Sequence, residues 1–319
     1  MALLEVKNLK VYFPVRENSF FKRKERYVQA VDDVSFEVEE GEVLGIVGES
    51  GCGKSTLVRA LMRLIPTTAG AINLLGEDLL HLPKNKLRLF RKNFQMIFQD
   101  PESSLNPRFT VGEIIGEPLK IFESNLSHKE HLYKVQDLME KVGLSSYMIR
   151  RYPHEFSGGQ RQRICIARAL SIHPKLIICD EAVSALDVSI QAQILNLLNE
   201  IKERFKLTYI FISHDLAVTR HISDRIIVMY LGKIVETGRA LEIIKNPQHP
   251  YTKALLASVP EYKKERNLNL LTGDIPSPIN PPKGCRFHTR CPLVEPKCLE
   301  IEPILQQKSC GNYVACHLV

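Results

Sequence analysis

A glycine-rich turn between two apolar segments holds the first residues of this chain that have an evident chemical use. Residues 48–56 read Gly-Glu-Ser-Gly-Cys-Gly-Lys-Ser-Thr and fit G-x-x-x-x-G-K-[ST] between a predicted strand and a predicted helix. Glycines let successive backbone N–H groups face the oxygens of a polyphosphate, and the helix adds the positive end of its dipole. The sequence therefore predicts a phosphate-binding loop made of Gly48, Glu49, Ser50, Gly51, Cys52, Gly53, Lys54, Ser55 and Thr56.

Three side chains of this loop have expected properties of their own. The compact positive charge of Lys54 suits the β- and γ-phosphates of a nucleotide, and the Ser55 hydroxyl suits Mg²⁺. Cys52 is expected to be a small buried side chain, although its place in the loop leaves its thiol open to alkylation. Together these residue types indicate a site for a nucleoside triphosphate and its magnesium ion.

Two further predicted strands end in polar side chains. The apolar run Leu176–Cys179 is followed by Asp180 and Glu181, and the run Leu207–Ser213 is followed by His214. One of two adjacent acids can hold Mg²⁺ through water, while the next takes a proton from an attacking water. Because functional groups of open α/β sheets gather at the carboxyl ends of strands, His214 is expected to contact a phosphate.

A second pair of glycines begins another predicted helix. Ser157 precedes Gly158, Gly159 and Gln160, and its hydroxyl is suited to cap a helix that continues through Leu170. Glycines leave the first backbone N–H groups accessible at a helix start, where an anion is stabilised. The segment from Ser157 to Gln160 is therefore a second candidate for phosphate contact.

Five of the eight cysteines lie close to the end of the chain: Cys285, Cys291, Cys298, Cys310 and Cys316. In a reducing compartment such a group predicts metal ligands rather than disulfides. Without Cys310 the spacing is C-x5-C-x6-C-x17-C, which matches neither the short zinc hooks nor the tight ferredoxin run. The residues by themselves indicate only a tetrathiolate metal centre.

The elements that must position these groups follow from the hydrophobic pattern. Partial alternation predicts antiparallel strands over Leu4–Val11 and Ala30–Val38, before the phosphate loop. A helical pattern over about residues 101–172 predicts a subdomain inserted between core strands. We therefore expect one domain over residues 1–245 and an extension over residues 246–319, which contains a Pro-rich linker, Leu268–Lys283.

Composition narrows the class of protein. A chain of 319 residues is long enough for a main domain with an appendage, and 44% hydrophobic with 25% charged residues is ordinary for a soluble protein. No run approaches about 18 uncharged apolar residues and no signal peptide is evident, so we expect the chain to stay in the cytosol. The net charge of +7 permits nucleic acid or anionic lipid as a partner, but the basic run Phe20–Arg26 is expected to be a solvated loop.

Taken in chain order, these motifs resemble the ATP-binding subunit of an ABC transporter over about residues 3–240. The resemblance implies an α/β fold: a P-loop NTPase (RecA-like) core of ABC type with an antiparallel β subdomain, an inserted helical subdomain and a C-terminal cysteine-rich extension. It also implies that two such subunits enclose two ATP molecules. Each nucleotide would lie between the phosphate loop of one chain and a segment of the other chain that consists of Ser157, Gly158, Gly159 and Gln160.

The same resemblance assigns roles to individual residues. It implies that Lys54 binds the phosphates, that Glu181 is the general base and that His214 contacts the γ-phosphate. Asp187 would bridge to the partner, and Phe13 would stack on adenine, with Tyr12 and Tyr27 as alternatives. The residues around Mg²⁺ would be Ser55, Gln99 and Asp180.

A narrower resemblance is to the dipeptide and oligopeptide importers, with the F-type of their two ATPase subunits as the closer match. It rests on Phe98-Gln99-Asp100-Pro101, Tyr152-Pro153-His154-Glu155, residues 246–252, Val183–Asp187 and Gly284-Cys285-Arg286-Phe287-His288. It implies ATP-powered import of peptides, with nickel or another small solute as alternatives. The implied partners are a sister ATP-binding subunit or a second copy, two transmembrane permease subunits and, indirectly, an extracytoplasmic substrate-binding protein. The implied location is the cytoplasmic face of the cell membrane.

The tail is similar to a segment that holds a [4Fe–4S] cluster in several of these subunits, through Cys285, Cys291, Cys298 and Cys316. Zinc or no metal are the alternatives, and Cys310 is surplus to the pattern. A competing class is a soluble ABC-type ATPase that acts on DNA or ribosomes, which the positive charge permits. Such proteins usually carry long coiled coils, zinc modules inside the helical region or two cassettes, so we expect no nucleic acid partner. A non-enzymatic ATP-gated scaffold would not need the acids after Cys179.

Overall fold

A computed structural model describes residues 2–15, 26–258, 273–308 and 311–319. The chain forms two compact units: the first comprises Met1–His81 and Ile212–Val319, and the second comprises Leu82–Phe211. Residues 20–25 of the basic run, residues 268–272 of the predicted linker and Cys310 lie outside the described residues. None of the helices in the described ranges combines the length and the apolar character that crossing a bilayer requires.

The first unit begins with an antiparallel sheet of strand order β2-β1-β4-β5. Its strands are β1 (Ala2–Val15), β2 (Arg26–Glu39), β4 (Ala69–Leu74) and β5 (Glu77–Asp78). Both predicted strands are present and longer than the alternation indicated, because bulges interrupt the β1–β2 register without ending the pairing. Leu4, Val6, Leu9 and Val11 of β1 are buried and supply the apolar face of this sheet.

A second group of strands in the first unit includes the strand that leads into the phosphate loop. β3 (Val43–Val47) is buried throughout and pairs in parallel with β9 (Arg225–Tyr230), with Leu44 opposite Arg225. β9 continues antiparallel to β10 (Lys233–Arg239), which pairs with β12 (Tyr313–Val314) next to β11 (Gln306–Gln307). The helices of this unit are α1 (Lys54–Leu61), α8 (Leu216–Ile222), α9 (Ala240–Lys245), α10 (Pro250–Ala257) and α11 (Pro296–Glu300).

The second unit contains a parallel strand pair and the long helical stretch. β6 (Phe94–Ile97) pairs in parallel with β7 (Leu176–Asp180), and β8 (Thr208–Ser213) begins in this unit and ends in the first. From residue 101 to residue 170 the regular structure in this described stretch is helical, as the sequence pattern predicted. The helices of the unit are α2 (Lys84–Phe90), α3 (Pro101–Ser104), α4 (Val111–Phe122), α5 (His128–Lys141), α6 (Gly158–Leu170) and α7 (Val188–Phe205).

The C-terminal extension packs into the core of the first unit. Tyr230 of β9 contacts Tyr251 of α10 and Phe287 of the tail, at ring-centroid distances of 4.7 Å and 5.2 Å. All three rings are fully buried, so they supply a large apolar area at the centre of this packing. The backbone N–H of Gln29 also donates to the carbonyl of Pro278 at 3.0 Å. The described part of the predicted linker is thus irregular, as expected, but it is held against β2.

Candidate functional site

The phosphate loop connects β3 to α1 in the first unit, as the sequence predicted. Lys54 is the first residue of α1, and its side chain turns back into the loop, where only 4% of the residue is exposed. Its Nζ donates to the carbonyls of Gly48 at 2.7 Å and Glu49 at 3.0 Å. The ammonium group is therefore held inside the curve of the backbone, where a phosphate chain would meet it.

Gly53 shows why this loop requires glycine. Its φ of +108° is in a region that side chains rarely adopt, and an added Cβ would lie 2.1 Å from the carbonyl oxygen of Ala30 in β2. The loop is also tied to the turn after β9, because the N–H of Gly232 donates to the carbonyl of Cys52 at 2.9 Å. Close backbone packing on two sides thus fixes the path of the loop into α1.

The three candidate adenine-stacking rings lie on β1 and β2. Phe13 and Tyr27 are 37% and 39% exposed, so part of each side chain is accessible to solvent. Tyr12 is less available, because its hydroxyl donates to the Asp32 carboxylate and the ring is partly buried. Burial, followed by this hydrogen bond to Asp32, raises the pKa of Tyr12 above its ordinary value. The exposure of Phe13 is compatible with the role that the resemblance gives it.

The parallel pair β6–β7 in the second unit brings Gln99 and Glu181 together. Ile97 lies opposite Cys179 in the sheet. Gln99 and Glu181 each follow two residues later, so both leave the sheet at the same edge. Gln99 Nε2 donates to Glu181 Oε2 at 3.0 Å. Asp180 is the last residue of β7 and only 5% exposed, whereas Glu181 adopts a left-handed φ of +49°. Residues in this conformation are uncommon outside glycine and cluster at functional sites.

The second glycine pair begins α6, as predicted. Ser157 is the N-cap: its hydroxyl accepts from the Gln160 N–H at 3.4 Å, and its own N–H donates to Gln160 Oε1 at 3.0 Å. Ser157 and Gly158 are exposed. An added Cβ on Gly159 would lie 2.6 Å from Cγ2 of Ile190 in α7, so this glycine permits close helix packing. Asp187 occupies the N-cap position of α7 and is exposed.

His214 follows β8 directly and is exposed, in the first unit. The next residue, Asp215, caps α8 by accepting from the Ala217 N–H at 2.7 Å, which fixes the backbone beside the histidine. The predicted site residues are therefore divided between the units. Phe13, the phosphate loop and His214 belong to the first unit, and Gln99, Ser157–Gln160, Asp180, Glu181 and Asp187 belong to the second.

Four tail cysteines lie within electrostatic range of one another. Burial raises the pKa of Cys285 to about 11, and its thiol neighbours Cys298, Cys316 and Cys291 add to this effect. Burial also raises the pKa of Cys291 and of Cys316. No three His, Cys, Asp or Glu side chains in the described ranges are arranged as ligands of one metal ion. The thiols thus share one region of the tail without forming the compact set that a single ion requires, with Zn–S distances of about 2.3 Å.

Residues of the extension also contact the phosphate loop, and no sequence pattern indicated this contact. The backbone N–H of Glu49 donates to the Tyr251 hydroxyl at 2.8 Å, and its carboxylate accepts from Arg290. Tyr251 lies in the segment of residues 246–252, on which part of the family resemblance rests. No pattern in that segment indicated that Tyr251 contacts Glu49. Arg290 gave no signal at all, since 241 positions separate it from Glu49.

Two family models and several relatives are similar to this chain. The family model "ABC transporter" matches residues 31–184, and the model "Oligopeptide/dipeptide transporter, C-terminal region" matches residues 235–298. The chain is 54% identical to the oligopeptide transport ATP-binding protein AppF of Bacillus subtilis, over 99% of this chain and 97% of that protein. It is 53% identical to the oligopeptide transport ATP-binding protein OppF of Salmonella typhimurium, over 96% of this chain and 93% of that protein.

A solved structure supports the same assignment. The ATP-binding cassette MJ0796, in a dimeric post-hydrolysis state bound to ADP and Pi, superimposes with a TM-score of 0.65 at 27% identity. The match covers 74% of this chain and 98% of that one. The predicted fold class is confirmed as the mixed α/β cassette fold with an antiparallel sheet. By its near full-length identity to these relatives, the chain belongs to the oligopeptide and dipeptide transport ATP-binding proteins, the ATPase subunits of ABC transporters.

Proposed function

We propose that this chain hydrolyses ATP to power the import of dipeptides and oligopeptides through a membrane-embedded complex. The observation that carries the hydrolytic part is the hydrogen bond from Gln99 to the carboxylate of Glu181, directly after two paired strands. The peptide cargo rests on the relatives, whose names describe oligopeptide transport. Nickel or another small solute remains the alternative cargo.

Each site residue then has a role in hydrolysis. Lys54 leaves its loop carbonyls to bind the β- and γ-phosphates, while backbone N–H groups of the loop surround them. Phe13 stacks on the adenine. Glu181 takes a proton from a water molecule while the oxygen of that water attacks the γ-phosphorus. The bond between the γ-phosphorus and the β–γ bridging oxygen breaks, which releases ADP. The Gln99 amide orients the carboxylate, and His214 contacts the γ-phosphate.

The donor types suit magnesium. Ser55, Gln99 and Asp180 offer a hydroxyl, an amide and a carboxylate, which are the oxygen ligands that this ion prefers. When bound, Mg²⁺ neutralises charge on the phosphate oxygens.

The second glycine segment serves a nucleotide held by another subunit. The exposure of Ser157 and Gly158 at the start of a 13-residue helix supports contact with a phosphate that comes from outside the chain. Gly159, Gln160 and the exposed Asp187 would complete this face. The partner is a sister ATP-binding subunit or a second copy, and the helices between residues 101 and 172 form the subdomain that meets two permease subunits. In this arrangement the chain lies on the cytoplasmic face of the membrane, and a substrate-binding protein acts on the other side.

We also propose that the extension, residues 246–319, holds a [4Fe–4S] cluster through Cys285, Cys291, Cys298 and Cys316. The thiols of Cys298, Cys316 and Cys291 all contribute to the raised pKa of Cys285, which supports a shared centre. Bound iron would cross-link the tail.

Replacing Glu181 by Gln tests the hydrolytic role. General-base catalysis contributes about 10²–10⁴ in rate, so Glu181→Gln should reduce turnover by this factor while ATP binding persists and the closed dimer accumulates. The matched control is Glu200→Gln on the exposed face of α7, which should retain wild-type turnover. Wild-type ATPase activity in the E181Q protein would remove Glu181 from its role.

The same experiment, done in vesicles that contain the reconstituted complex, identifies the cargo. Peptide import is supported if the wild-type complex takes up a labelled dipeptide or oligopeptide and the E181Q complex does not. Uptake of Ni²⁺ with no uptake of peptide would assign the alternative cargo. Co-purification of nucleic acid instead of membrane subunits would overturn the transporter assignment.

A further inference from the structure

Glu49 of the phosphate loop is held through both its backbone and its side chain. Its backbone N–H donates to the Tyr251 hydroxyl at 2.8 Å, and its carbonyl accepts from Lys54 at 3.0 Å. Its carboxylate accepts two bonds from one guanidinium: Arg290 Nη1 to Oε2 at 2.7 Å and Arg290 Nη2 to Oε1 at 3.1 Å. Backbone and side chain of one loop residue are thus held from two different parts of the extension.

The Arg290 side chain is built into the fold. It is only 5% exposed, against 24% for Glu49, and its guanidinium lies 5.9 Å from the centroid of the Tyr230 ring. A bidentate pair between a planar guanidinium and a carboxylate fixes both distance and orientation, and its charge-assisted hydrogen bonds are stronger than neutral ones. Arg290 directly precedes Cys291, so its position depends on the cysteine-bearing part of the tail.

A second arginine of the tail holds the strand that supports the loop. Arg286 is buried, and it donates to the carbonyl of Leu231 at 2.5 Å, to Gln29 Oε1 at 2.9 Å and to the carboxylate of Asp32. Gln29 and Asp32 flank Ala30, whose carbonyl lies against Gly53 of the loop. The tail therefore contacts the loop directly through Arg290 and its supporting strand through Arg286.

The charge of Glu49 explains why this contact matters. A carboxylate in a loop that receives a triphosphate repels the ligand unless a cation compensates it and keeps it turned away. Arg290 supplies both effects, while the Tyr251 contact directs the Glu49 N–H to the extension. A loop that is fixed before the ligand arrives also loses less conformational freedom on binding.

We propose that Arg290 is a positioning residue for the phosphate loop, by which the cysteine-bearing tail sets the affinity for the triphosphate. The inference rests on the proposed use of this loop for ATP. It predicts that loss of the guanidinium weakens nucleotide binding mainly because the Glu49 carboxylate is left uncompensated. Removing that charge as well should then restore part of the affinity.

The test measures the Kd of Mg-ATP by titration of a fluorescent ATP analogue in the E181Q background, which prevents turnover. Arg290→Ala should raise the Kd about tenfold, within the roughly 5–150-fold range of ordinary coupling between sites. Arg290→Lys keeps the positive charge, so its Kd for Mg-ATP should stay closer to that of the parent. The double variant E49Q/R290A should bind several-fold more tightly than R290A, a rescue that a purely structural role of Arg290 would not produce. In the parent with active Glu181, R290A should raise KM more than it lowers kcat.

Two control variants separate the role of Arg290 from a general effect of charge in the tail and from the proposed function of the loop. Lys297→Ala removes an exposed charge from the same tail and should leave the Kd unchanged. Lys54→Ala should abolish tight binding: if it does not, the proposed function of the loop is wrong. If K54A no longer binds ATP tightly while R290A has the same Kd as the parent, only the proposed role of Arg290 is wrong.

Should R290A not fold, Arg290→Gln replaces it with the same expectations, because its longer side chain fills more of the space. An unchanged Kd in R290Q, an absence of rescue by E49Q, or failure of both neutral variants to fold would overturn the proposal in favour of a structural role.

Discussion

At the scale of single residues, the thiol of the phosphate loop is buried. Cys52 is only 3% exposed, and its Sγ lies 3.7 Å from the Nζ of Lys54. An ammonium group at this distance favours the thiolate, but burial has the larger effect and raises the pKa of Cys52 above its ordinary value. The expectation of a small buried side chain agrees with the structure, whereas the openness to alkylation does not follow from its position in the loop.

Alkylation kinetics test this conclusion. Because the thiolate is the nucleophile and a raised pKa lowers its fraction at neutral pH, Cys52 in the folded protein should react with iodoacetamide at least about tenfold more slowly than after unfolding in urea. The rate should increase as pH rises toward the pKa. Mass spectrometry of the peptide that contains Cys52 measures the rate. Labelling of the native protein at the rate of an unfolded thiol would contradict the role of burial.

At the scale of elements, the start of α6 combines a structural and a proposed chemical role. Its capping box of Ser157 and Gln160 repeats the one that begins α5, where Ser127 accepts from the Glu130 N–H at 3.3 Å. Both serines are exposed N-caps of helices in the second unit. α5 therefore provides a matched comparison that separates helix capping from phosphate contact.

Alanine at each cap distinguishes the two roles. Loss of a serine N-cap costs about 1 kcal/mol, so Ser157→Ala and Ser127→Ala should lower the melting temperature by similar small amounts. Only S157A should also reduce the ATPase rate, since only this hydroxyl is proposed to contact nucleotide in the partner. Thermal unfolding and steady-state ATPase assays measure the pair. Equal ATPase rates in the two variants would leave Ser157 with the capping role alone.

At the scale of the whole molecule, both ends of the chain belong to the first unit, and the second unit is formed by the residues between them. The tail is part of this unit's core: Phe287 packs on Tyr251 at 5.4 Å between ring centroids, and the Cys285 N–H donates to the Cys298 carbonyl at 2.8 Å. A metal centre at these cysteines would therefore be attached to the same packing that holds the phosphate loop.

Anaerobic purification tests the metal centre. The intact protein should be brown, with visible absorbance and bound iron and sulfide, because we propose that four thiolates hold a [4Fe–4S] cluster. Cys298→Ser should lose most of the iron, whereas Cys310→Ser should retain it, since Cys310 is surplus to the ligand pattern. Iron and sulfide analysis of the variants measures this difference. A colourless protein with stoichiometric zinc would reject the iron–sulfur assignment.

Errors in the element boundaries have local causes. The residue pattern after the phosphate loop predicts a helix over Leu57–Leu64, but α1 ends at Leu61, because Arg63 adopts a left-handed φ of +50°. β1 and β2 extend beyond their predicted ends, because bulges shift the alternation that marks a strand in sequence. The residue pattern also predicts a helix over His128–Val142, which differs from α5 by one residue because capping and apolar spacing agree there.

The sequence by itself determined the phosphate loop, the helix start at Ser157 and the strand that ends at Asp180, because each depends on backbone preferences and spacing within a few consecutive residues. Only the tertiary structure decided which side chains hold these segments. The bonds from Arg290 and Tyr251 to Glu49 and from Gln99 to Glu181 join residues 241, 202 and 82 positions apart. Such pairs form when packing brings distant segments into contact, and no local pattern encodes the partner.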